Sequence, residues 1–187
     1  MVNRMTAQTQ ATSRMTRMIL AAAASTLCFA QDNPLSTEAK TAWGRTIGNV
    51  VAAAEKMPDD GYAYKPTPES MSFKELVAHT ADSAMGACSG FNGERKSAGA
   101  AKMESKADLV GAMKAAQAEC DKAYGSLNDT KAMEMVVGGR GPARSRLSTL
   151  WGNTVHIEHE YAQMAVHLRV KGEVPPSSAG RPAAKKQ

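Results

Sequence analysis

Three residues in two distant segments of the sequence have side chains of the kind that bind divalent metal ions. His79 lies within a segment that is predicted to be helical, and His156 and Glu160 lie in a second predicted helix near the end of the chain. A spacing of four residues places His156 and Glu160 on one face of a helix, a turn apart. Helix bundles build metal sites from inward-facing side chains on adjacent helices. The sequence therefore predicts a site formed by His79, His156 and Glu160.

Other polar residues in the same two segments fit such a site less well. At about 100° per residue, His159 lies farthest from the apolar stripe of its helix. His167 has an azimuth similar to that of the predicted ligands but lies about two to three turns away. Asp82, about one turn after His79, either orients that histidine or faces water, and we expect that it faces water. Spacing alone does not decide between metal ligands and ordinary packing or surface residues.

Four amphipathic helices are predicted to position these side chains, because apolar residues recur at three- and four-residue spacings. Ser36 is the predicted N-cap of the first helix, and Ser72 with Glu75 forms a capping-box pattern before the second. No strand is convincing, although residues 133–137 could form a short strand or a turn of helix. The sequence predicts an all-α four-helix bundle, with a long first connection that permits a topology other than simple up-and-down. The predicted helices are about 37–56, 73–91, 106–127 and 143–171.

The N-terminal residues have the organisation of a secretory signal peptide. Arg4, Arg14 and Arg17 precede Met18–Ala30, an uncharged and mostly apolar run that ends in a small residue. Such a run is too short to span a bilayer comfortably. We therefore expect residues 1–30 to be removed on export, and the mature protein to be periplasmic or secreted without stable membrane insertion.

Charge and composition limit the partners of the mature chain. The full chain of 187 residues has a formal net charge of +5, and loss of the three leader arginines lowers it to about +2. Residues 31–178 are expected to form the bundle, and residues 179–187 a disordered tail that carries much of the remaining positive charge. A folded domain whose net charge is close to zero has no strong basic surface for phosphate contacts, so nucleic acid is not an expected partner.

Two cysteines remain after the predicted leader. Cys88 and Cys120 each lie in a predicted helix, and an even pair in an oxidising compartment is typical of a disulfide. In the chain-entropy model such a link would stabilise the fold by about 3–4 kcal/mol. Two buried free thiols are the alternative, since cysteine is among the most buried residue types. We expect the disulfide.

Several segments in matching order resemble the DinB/YfiT-like proteins. The resemblance covers about residues 36–178. It rests on Trp43, residues 49–58, residues 64–73, residues 75–79 and residues 165–178. It implies a four-helix bundle whose metal site uses one histidine of the second helix and an H-x-x-x-H pair on the last helix.

The resemblance assigns these ligands to residues of this chain. His79 matches the histidine of the second helix, and His156 matches the first histidine of the last-helix pair. Glu160 stands where the family pattern has the second histidine. Two histidines and one glutamate are a set that catalytic zinc sites use. Zinc, nickel, iron and manganese all suit such ligands.

Two functions are consistent with these observations. The first is an exported metal-dependent transferase or hydrolase that acts on a small molecule. The spacing of the three candidate ligands and the resemblance motivate it, since the resemblance implies a metal site and some family members are thiol-dependent transferases or isomerases. The second is a non-catalytic binding or structural module, cross-linked by Cys88 and Cys120, that has lost the metal. The glutamate at position 160 is the reason to consider the second. A homodimer is compatible with both.

Overall fold

The structure, a computed structural model, describes residues 32–137 and 141–180. The predicted signal peptide, residues 1–30, and residues 181–187 of the predicted tail lie outside the described residues. Within the described ranges, no helix combines the length and hydropathy that crossing a membrane requires. The helices are α1 Pro34–Lys56, α2 Phe73–Phe91, α3 Lys106–Gly125, the single turn α4 Asp129–Ala132, and α5 Arg146–Val170. Short 3₁₀ helices occupy Asp59–Gly61, Ala100–Lys102 and Pro176–Ser178.

The prediction of an all-α bundle of four long helices is confirmed, with one exception. Two two-residue strands, β1 Met135–Val136 and β2 Arg144–Ser145, form an antiparallel pair before α5. Of the two alternatives predicted for residues 133–137, a short strand or a turn of helix, the structure has the short strand, whereas the strand at Arg144–Ser145 was not predicted. Because Ser145 ends β2 and its hydroxyl accepts a hydrogen bond from Ser148 N–H, α5 begins at Arg146 rather than at 143.

The start of α1 also differs from the prediction. The helix begins at Pro34, because the fixed φ of proline and its missing N–H suit the first helical position. Ser36 lies inside the helix rather than at its N-cap. The free N–H groups of Leu35 and Ser36 instead donate to the carboxylate of Asp129 at 3.1 and 2.8 Å. This cap comes from a residue more than ninety positions away, so local sequence patterns do not reveal it.

Helices α2 and α3 run parallel. Near the start of α2, Lys74 pairs with Glu104, which lies just before α3, at 2.6 Å. At the other end, the Asn92 side-chain amide, just after α2, donates to the carboxylate of Glu119 at 2.7 Å. The connection between the two helices therefore returns along the length of the bundle.

Helices α1 and α5 are also parallel to each other. Thr46 and Lys56 of α1 contact Glu158 and Glu173 in the same order along the chain, at 2.8 and 3.2 Å. Both α1 and α2 pack against α3 and α5, so α1 and α2 occupy opposite corners of the bundle. This arrangement places α2 beside α5, the two helices that carry the predicted ligands.

The core lies between the four long helices and is organised around a stacked pair of aromatic rings. The rings of Trp43 on α1 and Tyr124 on α3 lie 4.9 Å apart with planes inclined by 11°. The Tyr124 hydroxyl donates to the carbonyl of Leu150 on α5 at 2.6 Å, and the indole N–H of Trp43 donates to Asp121 at 2.9 Å. These contacts fix α5 against α1 and α3. The other largest fully buried side chains are Phe73, Ile47, Met57, Leu76, Leu109, Met113, Ile157, Met164 and Leu168.

Candidate metal centre

Two antiparallel helices bring the three predicted ligands together. The capping box in which Ser72 and Glu75 exchange hydrogen bonds starts α2 and determines where His79 lies along it. On α5, His156 and Glu160 occupy adjacent turns of one face. The side chains of His79, His156 and Glu160 each offer one ligand atom, and these atoms all lie within 4.8 Å of one another.

The carboxylate of Glu160 is at the centre of this cluster. Its Oε1 atom lies 3.9 Å from Nε2 of His79 and 3.8 Å from Nδ1 of His156. The two imidazole rings meet edge to face, with centroids 5.3 Å apart. All of these nitrogen–oxygen distances exceed the hydrogen-bonding range, so the three groups converge without bonding directly to one another.

Exposure differs sharply across the cluster. The Glu160 side chain is 5% exposed, whereas the side chains of His79 and His156 are 42% and 40% exposed. The other carboxylate oxygen of Glu160 accepts a hydrogen bond from the side-chain amide of Gln163 at 3.0 Å. The cluster therefore has a buried, oriented carboxylate at its base and two imidazoles that open toward solvent.

The arrangement fits a divalent metal ion. Donor atoms that bind a zinc ion at about 2.0–2.2 Å in tetrahedral geometry lie about 3.3–3.5 Å apart. The observed separations from Glu160 are about half an ångström longer. The two exposed imidazoles would have to rotate toward Glu160 to close that difference. Two nitrogens and one carboxylate oxygen leave a coordination position open, as in catalytic zinc sites.

The remaining histidines do not join the cluster. His159 is exposed on the outer face of α5, as its azimuth predicts. His167 is buried, and its two ring nitrogens face the backbone carbonyl oxygens of Gln163 and Met71 at 2.9 and 3.2 Å. Its environment is therefore that of a packing residue that joins the end of α5 to the start of α2.

Asp82 has a different role from the one expected. Its carboxylate accepts hydrogen bonds from the Ser97 hydroxyl at 3.0 Å and from the N–H groups of Ala100 and Ala101 at 3.3 and 3.1 Å. Partial burial raises the pKa of Asp82, but these hydrogen bonds outweigh it and hold the pKa below its usual value. The expectation that Asp82 faces water was wrong, because the loop after α2 folds back onto the helix. Asp82 fixes that loop rather than orienting His79.

Sequence reasoning did not assign a role to Gln163. It lies three residues after Glu160, a spacing at which helical side chains contact each other, so helical periodicity was a signal that could have identified it. The loop residues that Asp82 holds had no comparable signal, because only the folded connection brings them to α2.

The structure joins Cys88 of α2 to Cys120 of α3 in a disulfide with Cα atoms 4.8 Å apart. Both residues are fully buried. The side-chain amide of Asn153 on α5 lies 3.6 Å from the Cys88 sulfur and 3.3 Å from the Tyr124 hydroxyl. The disulfide therefore cross-links the parallel helices α2 and α3 inside the core, in contact with α5.

Comparisons with known proteins agree on the fold. The family model described as the DinB superfamily matches residues 42–164. Among solved structures, a DinB-like protein from Bacillus subtilis, YjoA, is similar with a TM-score of 0.60 at 20% sequence identity. The match covers 73% of this chain and 93% of YjoA. At this identity the likeness concerns the fold alone. A search of curated proteins finds no match.

Proposed function

The chain belongs to the DinB superfamily, and from that premise we propose that it binds one divalent transition-metal ion through His79, His156 and Glu160. We further propose that the loaded protein is a transferase or hydrolase that acts on a small molecule. The observation that carries the proposal is the convergence of three ligand atoms from two helices around a buried carboxylate. The family membership and the open coordination position support it.

The energetics of Glu160 favour an ion in this position. A buried carboxylate is costly unless it is paired with a positive charge or hydrogen-bonded. Gln163 satisfies one oxygen of Glu160, and the other oxygen faces the two imidazoles at distances too long for hydrogen bonds. A cation bound among these three side chains compensates the buried charge directly.

Each residue then has a distinct role. His79, His156 and Glu160 hold the ion, and Gln163 positions Glu160 by holding its second oxygen. When bound, the ion supplies Lewis acidity that activates water or a thiol near neutral pH. The exposed edges of the two histidines leave the site open to a small molecule.

Metal analysis of purified protein tests the binding step. We expect about one equivalent of zinc, nickel, iron or manganese in the wild type, and loss of that metal in Glu160→Gln. Glu160→Gln preserves the shape of the side chain while removing its charge. Absence of metal from the wild type after reconstitution with each of the four ions would refute the proposal.

Two further variants serve as matched controls. His159→Ala removes an imidazole from the same helix without touching the cluster, so its metal content should equal that of the wild type. Glu160→His restores the H-x-x-x-H pattern of the family, and we expect it to retain the metal. Equal metal loss in His159→Ala and Glu160→Gln would show that the effect is not specific to the cluster.

We propose in addition that the protein is exported to the periplasm or secreted. The support is the charge and apolar pattern of residues 1–30 together with the buried Cys88–Cys120 disulfide, since disulfides persist in oxidising compartments. Cell fractionation of the full chain, beside a variant that lacks residues 2–30, tests this. Recovery of the full chain in the cytoplasm with its leader intact would contradict it.

The buried disulfide and the glutamate at position 160 favour the second candidate, a non-catalytic bundle that binds a ligand or partner. Thermal unfolding separates the two candidates, because a metal that binds only the folded state raises the melting temperature. A melting temperature that is unchanged by each of the four ions would favour the non-catalytic bundle.

A further inference from the structure

A cleft of about 220 Å³ lies directly beside the candidate metal centre. Its walls come from α2 and from the segment at 101–103 that precedes α3. The apolar part of the lining consists of Ala78, Ala101 and Met103, and His79 is also one of the lining residues. At about 30 Å³ per molecule in liquid water, the cleft has room for about seven waters or for a small organic group.

The outer wall of this cleft is held in place at both ends. At one end, Asp82 of α2 binds the N–H groups of Ala100 and Ala101, and Ala100 is itself fully buried. At the other end, Lys74 of α2 pairs with Glu104 at 2.6 Å. Both contacts join α2 to the segment that faces it across the cleft.

The charged side chains at the rim already have partners. Lys74 pairs with Glu104, and Asp82 accepts the three hydrogen bonds from the loop. Glu75 accepts hydrogen bonds from Ser72 and pairs with Lys65. The backbone and side-chain hydrogen bonds from Ser72, with the help of Lys65, lower the pKa of Glu75 to about 2. Because these charged groups are already paired, the cleft offers an occupant apolar contacts.

His79 connects the cleft to the proposed metal. His79 is one of the residues that line the cleft, and its Nε2 atom lies 3.9 Å from Oε1 of Glu160. An ion held by Nε2 would therefore be bound by a residue that also lines the cleft. We infer that this cleft is the subsite for the apolar portion of the substrate, a short alkyl or aromatic group whose polar head reaches the metal. This inference rests on the proposed metal site.

Two hydroxamates that differ only in their apolar group test the inference. Acetohydroxamate and benzohydroxamate share one metal-binding head, but the first carries a methyl group and the second a phenyl ring. Calorimetric titration of the zinc-loaded protein should show benzohydroxamate binding at least about tenfold more tightly, because the ring buries additional apolar surface.

A bulky residue in the cleft wall provides the matched variant. Ala101→Trp fills the cleft from an exposed position without replacing any of the three metal ligands. We expect it to reduce the preference for benzohydroxamate to within about twofold, with zinc content unchanged. Lys102→Trp adds the same ring at the next exposed residue, outside the cleft, and should keep the wild-type preference.

The outcomes distinguish this inference from the proposed function. Wild-type protein that binds zinc and both hydroxamates equally well would overturn the subsite and leave the metal site standing. A preference that survives in Ala101→Trp would also overturn the subsite. Wild-type protein that binds neither zinc nor acetohydroxamate would remove the metal site, and the subsite with it.

Discussion

Reduction of the Cys88–Cys120 disulfide should destabilise the protein by an amount that follows from its position in the chain. The two cysteines are separated by 32 residues, and both are fully buried between α2 and α3. The link reduces the number of conformations accessible to the unfolded chain without altering which helices pack together in the folded state. Reduction of the wild type therefore isolates the cross-link, with every side chain of the sequence retained.

The chain-entropy model gives the size of this effect. A closed loop of this length lowers the entropy of the unfolded chain enough to stabilise the fold by about 3.5–4 kcal/mol at 25 °C. For a domain of roughly this size, each kcal/mol changes the melting temperature by about 2–4 °C. The reduced protein should therefore melt about 7–15 °C below the oxidised protein.

Urea and thermal unfolding of oxidised and reduced protein measure this difference. Because the disulfide is buried, it must be reduced in denaturant before refolding, and alkylation with mass spectrometry should confirm two free thiols. Cys88→Ala/Cys120→Ala is a second way to remove the link, with an added cost for lost packing. A verified reduced protein whose unfolding free energy lies within about 1 kcal/mol of the oxidised value would refute the entropic reasoning.

Three further results are expected. Tyr124→Phe should cost about 1–3 kcal/mol in urea unfolding, because loss of the hydroxyl leaves the buried Asn153 amide and the Leu150 carbonyl without that partner; an unchanged unfolding free energy would contradict this. The pKa of Asp82 is lowered in the folded state. The ionised carboxylate therefore contributes to the free energy of unfolding above the unfolded-state pKa of about 3.9, and this contribution is lost as pH falls through the lower folded-state pKa. Asp82→Asn should therefore have a lower free energy of unfolding than the wild type at pH 7. In urea unfolding measured at a series of pH values, the two free energies should converge at the acid end. Zinc should raise the melting temperature of wild type but not of His79→Ala, and an equal rise in both would exclude His79 as a ligand.

Much of the secondary structure could be predicted because its causes are local. The helices follow from the spacing of apolar residues, which depends only on the 3.6-residue turn. The start of α2 could be predicted from Ser72 and Glu75, because the two residues of a capping box bond to each other. The proximity of His156 and Glu160 could also be predicted locally, since a four-residue spacing places both on one face of a helix.

Only part of the candidate site could be predicted from spacing within one helix. Nothing in the spacing of one helix relates His79 to a residue more than seventy positions later; the way helix bundles build metal sites suggested that link, and the resemblance to a known family supported it. The structure brings His79 to within 3.9 Å of Glu160, because α2 and α5 are antiparallel neighbours. The orientation of Glu160 by Gln163 is again a contact within one helix.

The sequence by itself determined which segments are helical, which faces are apolar and which residues are candidate metal ligands. Only the tertiary structure decided how the helices are arranged, with α2 parallel to α3 and α1 at the corner opposite α2. It also decided that Asp129 caps α1 and that Asp82 holds the wall of the cleft. These contacts join residues through packing rather than through backbone periodicity, so no local pattern encodes them.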